Sequence, residues 1–128
     1  LQIPEINICG KTGTVENFVN IDGERVKMVD HSVFLAFAPK EDPKIVIAVF
    51  IENGGYGATW AGPIASLMIE KYLKGEITRT DLEKRMLEGD LNDNYILVDK
   101  AIKQKEERDR LARLEKERKE KLNSNKRK

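Results

Sequence analysis

Ile45-Val46-Ile47-Ala48-Val49-Phe50-Ile51 is apolar at every one of its positions and rich in β-branched residues. A strand with one wet face alternates polar and apolar, so an unbroken apolar run predicts a strand covered on both faces. Upstream, Lys40-Glu41-Asp42-Pro43 reads as a polar turn, and Ser32–Phe37, ending at Ala38-Pro39, as an antiparallel neighbour strand. Asn20-Ile21-Asp22-Gly23-Glu24-Arg25 holds the Asp-Gly signal of a hairpin-like loop joining two antiparallel strands. Ahead of it, Ile6-Asn7-Ile8-Cys9 leads into a first strand, while Pro4 keeps the approach irregular. Downstream, Gly54-Gly55-Tyr56-Gly57 lacks phosphate-loop or dinucleotide spacing and predicts a plain loop. A helix is expected next, with Pro63 in its first turn, Ile64, Leu67, Met68 and Tyr72 on its packing face, and Gly75 as its stop. One helix covers one face of a sheet, so the second cover is expected from protein outside this chain or from another copy. The fold class is α+β: an antiparallel sheet with three strands in this chain and a packing helix, followed by a charged helical tail.

At 128 residues and 14.6 kDa the chain is at most one domain, and its 40% apolar content is unevenly spread. Only the first 75 or so residues are expected to build a core, which divides the chain into 1–75 and a charged helical extension, 76–128. Thr80-Asp81-Leu82-Glu83 predicts a capping box for a short helix with Leu82, Met86 and Leu87 inward and Gly89 at its end. Asn92-Asp93-Asn94 is expected to break the chain before a helix from about Tyr95 to about Leu122, with a disordered end beyond it. Leu111, Ala112, Leu114 and Leu122 do not sustain heptads, so a solvated helix with i,i+4 charge pairs is preferred to a coiled coil. Residues 100–128 hold 13 Lys/Arg against 6 Asp/Glu, a net +7, while the remainder, 10 against 16, carries −6. There is no apolar run of about 18 residues to span a membrane. The chain begins at Leu1 rather than Met and reads as a piece of something larger.

Chemistry concentrates in Cys9-Gly10-Lys11-Thr12-Gly13-Thr14-Val15-Glu16. If this segment is extended, Lys11 and Gly13 share one face and Thr12 and Thr14 the other, since residues two apart point the same way. Lys11 supplies a cation and the threonines supply hydroxyl donors, a set suited to a carboxylate. Gly13 has no side chain to keep a ligand away from the backbone, so a substrate can lie along the strand as an added strand would. Cys9 sits in an apolar strand and reads as a small buried hydrophobe. His31, without a Ser or Cys partner, reads as an ordinary hydrogen-bonded residue, and Trp60 as a packing anchor. No metal-ligand cluster, cofactor motif or aromatic-rich basic patch for nucleic acid is present in the sequence.

The run Gly10–Thr14, then Asp30-His31-Ser32-Val33-Phe34-Leu35-Ala36-Phe37-Ala38-Pro39, then Ile45–Val49 leading to Glu52-Asn53-Gly54-Gly55, then Pro63-Ile64-Ala65, resembles the end of a transpeptidase domain. The family is that of the class B penicillin-binding proteins, of the penicillin-binding protein 2 type, which are serine penicillin-recognising enzymes. The likeness covers about the first 75 residues. It departs at Val15-Glu16, where the family usually has Ala-Gln, and at Ser32-Val33, where it often has Ala-Trp.

The resemblance implies part of a peptidoglycan D,D-transpeptidase, a serine-type acyltransferase, with the three strands belonging to a five-stranded sheet. Lys11 and Thr14 would be catalytic, Thr12, Gly13 and Thr14 would bind substrate, and the two threonines would hold the terminal carboxylate, which a β-lactam mimics. The implied partners are peptidoglycan stem peptides and β-lactams, the upstream part of the same polypeptide, and cell-elongation membrane proteins. The implied location is the bacterial inner membrane with a periplasmic catalytic domain. The class needs Ser-x-x-Lys, but Ser32, Ser66 and Ser124 are followed three residues later by Leu35, Ile69 and Arg127. The fragment alone is therefore expected to be inactive. Two other readings stay open: a β-lactamase or β-lactam sensor fragment, and a non-catalytic interaction module that self-associates through open sheet edges.

Overall fold

The computed structural model describes residues 1–21 and 23–125. Five strands precede three helices: β1 (Cys9–Val15), β2 (Phe18–Ile21), β3 (Glu24–Lys27), β4 (His31–Ala38), β5 (Ile45–Ile51), α1 (Ala61–Lys74), α2 (Thr80–Glu88) and α3 (Asn92–Asn125). The expected three-stranded antiparallel sheet is present in the order β1-β4-β5. Its register runs from Cys9↔Phe37 to Val15↔His31 and from Ser32↔Ile51 to Ala38↔Ile45. The Asp-Gly signal closes its own two-stranded ribbon, β2 with β3, instead of joining β1 to β4 directly. Gly23 there has φ +84, which suits glycine; Asp22 lies outside the described residues.

Burial alternates strictly along β4. Ser32, Phe34, Ala36 and Ala38 are buried beneath α1, while Leu35 and Phe37 are exposed on the far face. On β5 the same alternation sets Ile45, Ile47, Val49 and Ile51 against the core and leaves Val46 at 72% and Phe50 at 53% exposure. The apolar run is thus covered on one side by this chain, as a single helix allows, and its far face is open.

The packing face of α1 differs from the expected one. Ala61, Ala65 and Ile69, four residues apart, are fully buried on the sheet, with Leu73 packed behind them. Of the expected residues only Leu67 is buried; Ile64 is half-buried, and Met68 and Tyr72 are exposed at 52% and 64%. Both stripes have helical spacing. The small one wins because alanines let the helix backbone approach Ala36 and Ala38 of β4 closely, and interiors favour dense contact over side-chain size. The larger residues of α1 instead border an apolar groove with Ile77, Met86 and Leu87.

Gly75 ends α1 as expected, with φ +79 and its N–H donating to the Lys71 carbonyl at 3.0 Å. The start of α2 corrects the capping-box reading: Thr80 lies inside the helix and no side chain caps it. Leu82 and Met86 are half-buried, but Leu87 is 79% exposed, so it does not point inward. Asn92-Asp93-Asn94 begins α3 and does not break the chain. The Asn92 N–H donates to Asp90 Oδ1 at 3.0 Å, and Asp93 sits in the first turn where a carboxylate favours the helix dipole. The helix runs to Asn125, so Asn123–Asn125, expected to be disordered, are helical, and 126–128 lie outside the described residues.

Candidate active site

The Lys-Thr-Gly-Thr segment lies in β1, which pairs with β4 on one side only. Register fixes the faces. Lys11 opposite Leu35 and Gly13 opposite Val33 lie on the open face, while Thr12 opposite Phe34 and Thr14 opposite Ser32 lie on the α1 face. The other edge of β1 is free, and there the backbone groups of alternate residues are left unpaired by the sheet. Lys11 is exposed, and its Nζ donates to the Thr12 carbonyl at 2.7 Å. An open groove of about 1250 Å³ adjoins this edge, lined by residues 1–8, Lys11, Thr12, Phe34, Lys40 and Arg79.

The glycines separate packing from access. A Cβ added at Gly10 would meet Phe34 Cζ at 2.6 Å, and one at Gly57 would meet the Val33 carbonyl at 2.3 Å and the Gly13 carbonyl at 2.8 Å. Both positions are glycine because the chain packs against itself. At Gly13 an added Cβ would meet Val33 Cβ at 3.4 Å, an ordinary contact, so packing within the described chain does not demand glycine there.

Three elements hold this strand in place, and none was anticipated as a unit. Ser32, fully buried on β4, donates Oγ to the Tyr56 carbonyl at 3.1 Å and accepts the Ala61 N–H at 3.2 Å. It thereby caps α1, for which no local side chain does so. At the exit of β1, Asn17 donates its backbone N–H to Asp30 Oδ1 at 3.3 Å and its amide to the Val29 carbonyl at 3.2 Å and to Asn53 Oδ1 at 2.9 Å. Lys27 pairs with Asp30 at 2.7 Å. That hydrogen bond holds the Asp30 carboxyl below its usual range and the Lys27 amine above its own, in each case against a smaller opposing effect of burial.

The third support is a buried ion pair. Glu70, fully buried on α1, accepts Arg79 Nε at 2.9 Å and Thr78 Oγ1 at 2.6 Å. Burial pushes the Glu70 carboxyl up, but hydrogen bonds from Thr78 and Arg79 outweigh it and hold the group below its ordinary value. Arg79 also donates to the Ser66 carbonyl at 2.9 Å and to the Gln2 carbonyl at 3.2 Å, fastening the N-terminal stretch to α1 and the α1–α2 connection. The signal for Glu70 was a lone carboxylate inside Leu67-Met68-Ile69-Glu70, on the same helix as the alanine stripe.

The remaining singled-out residues take ordinary places. His31 Nδ1 accepts the Asn53 N–H at 3.0 Å, and its ring lies 5.2 Å from that of Phe50. Cys9 is a half-buried free thiol. Trp60 packs on the α2 terminus so closely that a Cβ at Gly89 would meet its ring at 2.5 Å. Ser66, like Ser32, is fully buried; it donates to the Pro63 carbonyl at 2.9 Å and accepts from Arg79.

The model of the penicillin-binding protein transpeptidase domain matches residues 2–70, more than half of the chain. The chain belongs to this family. Relatives in the transpeptidase family include the peptidoglycan D,D-transpeptidase MrdA of Haemophilus influenzae, 32% identical over 81 residues, which are 58% of this chain and 12% of that protein. The peptidoglycan D,D-transpeptidase PbpA of Mycobacterium tuberculosis is 38% identical over 79 residues, 58% of this chain and 15% of that one. The probable peptidoglycan D,D-transpeptidase PenA of Neisseria flavescens is 37% identical over 62 residues, 45% of this chain and 15% of the relative. The chain thus spans roughly an eighth to a seventh of the length of these relatives. No solved structure matches the chain significantly. The family match takes in all five strands and most of α1, and leaves α2 and α3 outside it. Among the described residues, no helix is long and apolar enough to cross a membrane.

Proposed function

We propose that this chain supplies one wall of the active site of a peptidoglycan D,D-transpeptidase, the Lys11-Thr12-Gly13-Thr14 strand, and that the nucleophilic serine comes from upstream polypeptide. The observation that carries the reading is the free edge of β1, where Gly13 leaves space that packing of this chain does not require. In the reaction, the serine oxygen attacks the carbonyl of the penultimate D-Ala of a stem peptide and the terminal D-Ala leaves. An amine of a neighbouring strand then attacks the acyl carbonyl and frees the serine.

Lys11, exchanging its bond to the Thr12 carbonyl for the reacting groups, supplies positive charge and assists proton transfer. Thr12 and Thr14 hold the terminal carboxylate, which a β-lactam mimics. The Thr14 backbone N–H stabilises the oxyanion, where loss of one donor typically costs about 3 kcal/mol. This reading sets the catalytic domain in the periplasm of a bacterium, anchored at the inner membrane by upstream chain, in contact with cell-elongation membrane proteins, with residues 76–128 as a helical extension.

Labelling with fluorescent penicillin tests it. The 128-residue chain is expected to stay unlabelled, because none of its serines is followed three residues later by a lysine, and the chain extended upstream to include a Ser-x-x-Lys is expected to label. An extended chain that stays unlabelled overturns the reading.

Gly13→Ala separates access from packing. In the extended chain it is expected to leave the thermal midpoint within about two degrees, since the new methyl meets only Val33 at contact distance. Acylation is expected to fall by roughly a hundredfold, because a methyl on that edge displaces the acyl carbonyl from its donors. Acylation at the parent's rate would remove Gly13 from the substrate path.

A further inference from the structure

Asn53 is 7% exposed, has φ +53, and commits each of three polar groups to a different element. Its N–H donates to His31 Nδ1 of β4, its Oδ1 accepts the Asn17 amide at 2.9 Å just past β1, and its carbonyl accepts the Asn94 amide of α3 at 2.7 Å. Two routes lead from this residue to the Lys11–Thr14 edge. One passes through Asn17, three positions after Thr14. The other follows Gly54, packed on Ser32, to Gly57, whose Cα backs the Gly13 and Val33 carbonyls. Asn53 is thus bonded to the residue at the exit of β1 and leads directly into the loop behind Gly13.

Asn94 lies beyond residue 70, where the family match stops, and so does Gly89, which abuts Trp60 at the entrance to α1. The extension therefore reaches back at two points onto the frame of the candidate site. The left-handed backbone of Asn53 costs least for Gly and Asn, so the residue type is set by conformation and by its acceptor together.

We infer that Asn53 is a positioning residue for the β1 edge, and that Asn94 is its second half, so that α3 sets the geometry at Thr14. The inference rests on the transpeptidase reading of that edge. Asn94 touches no reacting atom; it acts through the Asn53 carbonyl. Misplacement of a donor by a fraction of an ångström lowers the rate without removing any chemical group, and displacements of about 1 Å can cost on the order of a hundredfold.

The test uses the chain extended upstream to its nucleophile, following the second-order rate of acylation by fluorescent penicillin beside the thermal midpoint. Asn94→Ala is expected to slow acylation roughly tenfold, with full labelling at long times. Asn92→Ala, on the same first turn, has a backbone N–H that bonds only Asp90 and is expected to leave the rate unchanged. Asn53→Gly keeps the backbone relaxed while deleting the acceptor of Asn17, and is expected to match or exceed the Asn94→Ala loss. An Asn94→Ala protein that acylates at the parent's rate overturns the inference. So does a rate loss that follows a drop in thermal midpoint and vanishes when the assay is run colder, since a merely structural residue behaves that way. If the parent extended chain does not label at all, the transpeptidase reading fails first, and this inference falls with it.

Discussion

Lys11→Ala, in the chain extended upstream to its nucleophile, is expected to cut the rate of acylation by penicillin by about a thousandfold or more. Positioned acid–base groups contribute typically about 10²–10⁴ in rate, and a cation facing developing negative charge in a water-poor site adds to that. The same change should be nearly silent in stability. Lys11 is exposed, and its one hydrogen bond goes to the Thr12 carbonyl on the surface; such bonds are worth at most about 1 kcal/mol. The combination makes the prediction sharp: a normal thermal midpoint with lost labelling. Stopped-flow or gel-based acylation with fluorescent penicillin reads it, and labelling at the parent's rate removes Lys11 from the mechanism. Lys11→Arg keeps a charge but exchanges a compact ammonium for a planar fork that cannot shed its proton, so it should restore binding better than rate.

Arg79→Ala should be the most destabilising single change in the chain outside the alanine stripe. It leaves Glu70, fully buried, without its cation, and breaking a buried pair from one side costs about 3–5 kcal/mol. It also frees the Ser66 and Gln2 carbonyls that the guanidinium satisfies. Against a total stability of about 5–15 kcal/mol for a domain, the variant should be near its unfolding threshold. The pH dependence carries a definite sign. In the parent, the Glu70 carboxyl is held below its ordinary value of 4.5, so its contribution is present above that pH and is lost as pH falls toward the folded value. In Arg79→Ala the Thr78 hydrogen bonds remain but the cation is gone, so the carboxyl sits higher than in the parent and acid costs the variant less stability than it costs the parent. The gap in urea midpoint between parent and variant should be widest near neutrality and narrow below about pH 4.5. A gap that stays constant from pH 7 to pH 4 would show that Glu70 is not the group left in trouble.

The sheet was legible because its signals are local: Ile45–Ile51 by its unbroken apolar run, Ser32–Phe37 by its position before Ala38-Pro39, and the ribbon turn by Asp-Gly. For Lys11, Thr12, Gly13 and Thr14 the extended segment and the face of each residue were legible from period two alone, while their roles in a site are the proposal made above. Three readings fail for physical reasons. Choosing the face of α1 by hydrophobicity selected Met68 and Tyr72, because side-chain size speaks louder in a sequence than the closeness of approach that Ala61 and Ala65 permit. Spacing makes Thr80 a cap, though the structure gives that helix no side-chain cap, and composition makes Asn92–Asn94 a break, although Asp90 supports the chain there as the start of a helix. The asparagine and serine links behind the candidate site stayed hidden because their partners lie far apart in sequence. Asn17 meets Asn53 across 36 positions and Asn53 meets Asn94 across 41, and no periodicity announces such pairs.

The cap on α1 ties the helix to the sheet. Its start is satisfied by Ser32, 29 residues upstream, while its stop at Gly75 is local. A peptide spanning only Gly57–Gly75 would carry the terminator without the initiator, and short helices without a start signal are poorly populated in water. Stable growth of this helix therefore depends on the central strand being in place, so the two should lose their order together.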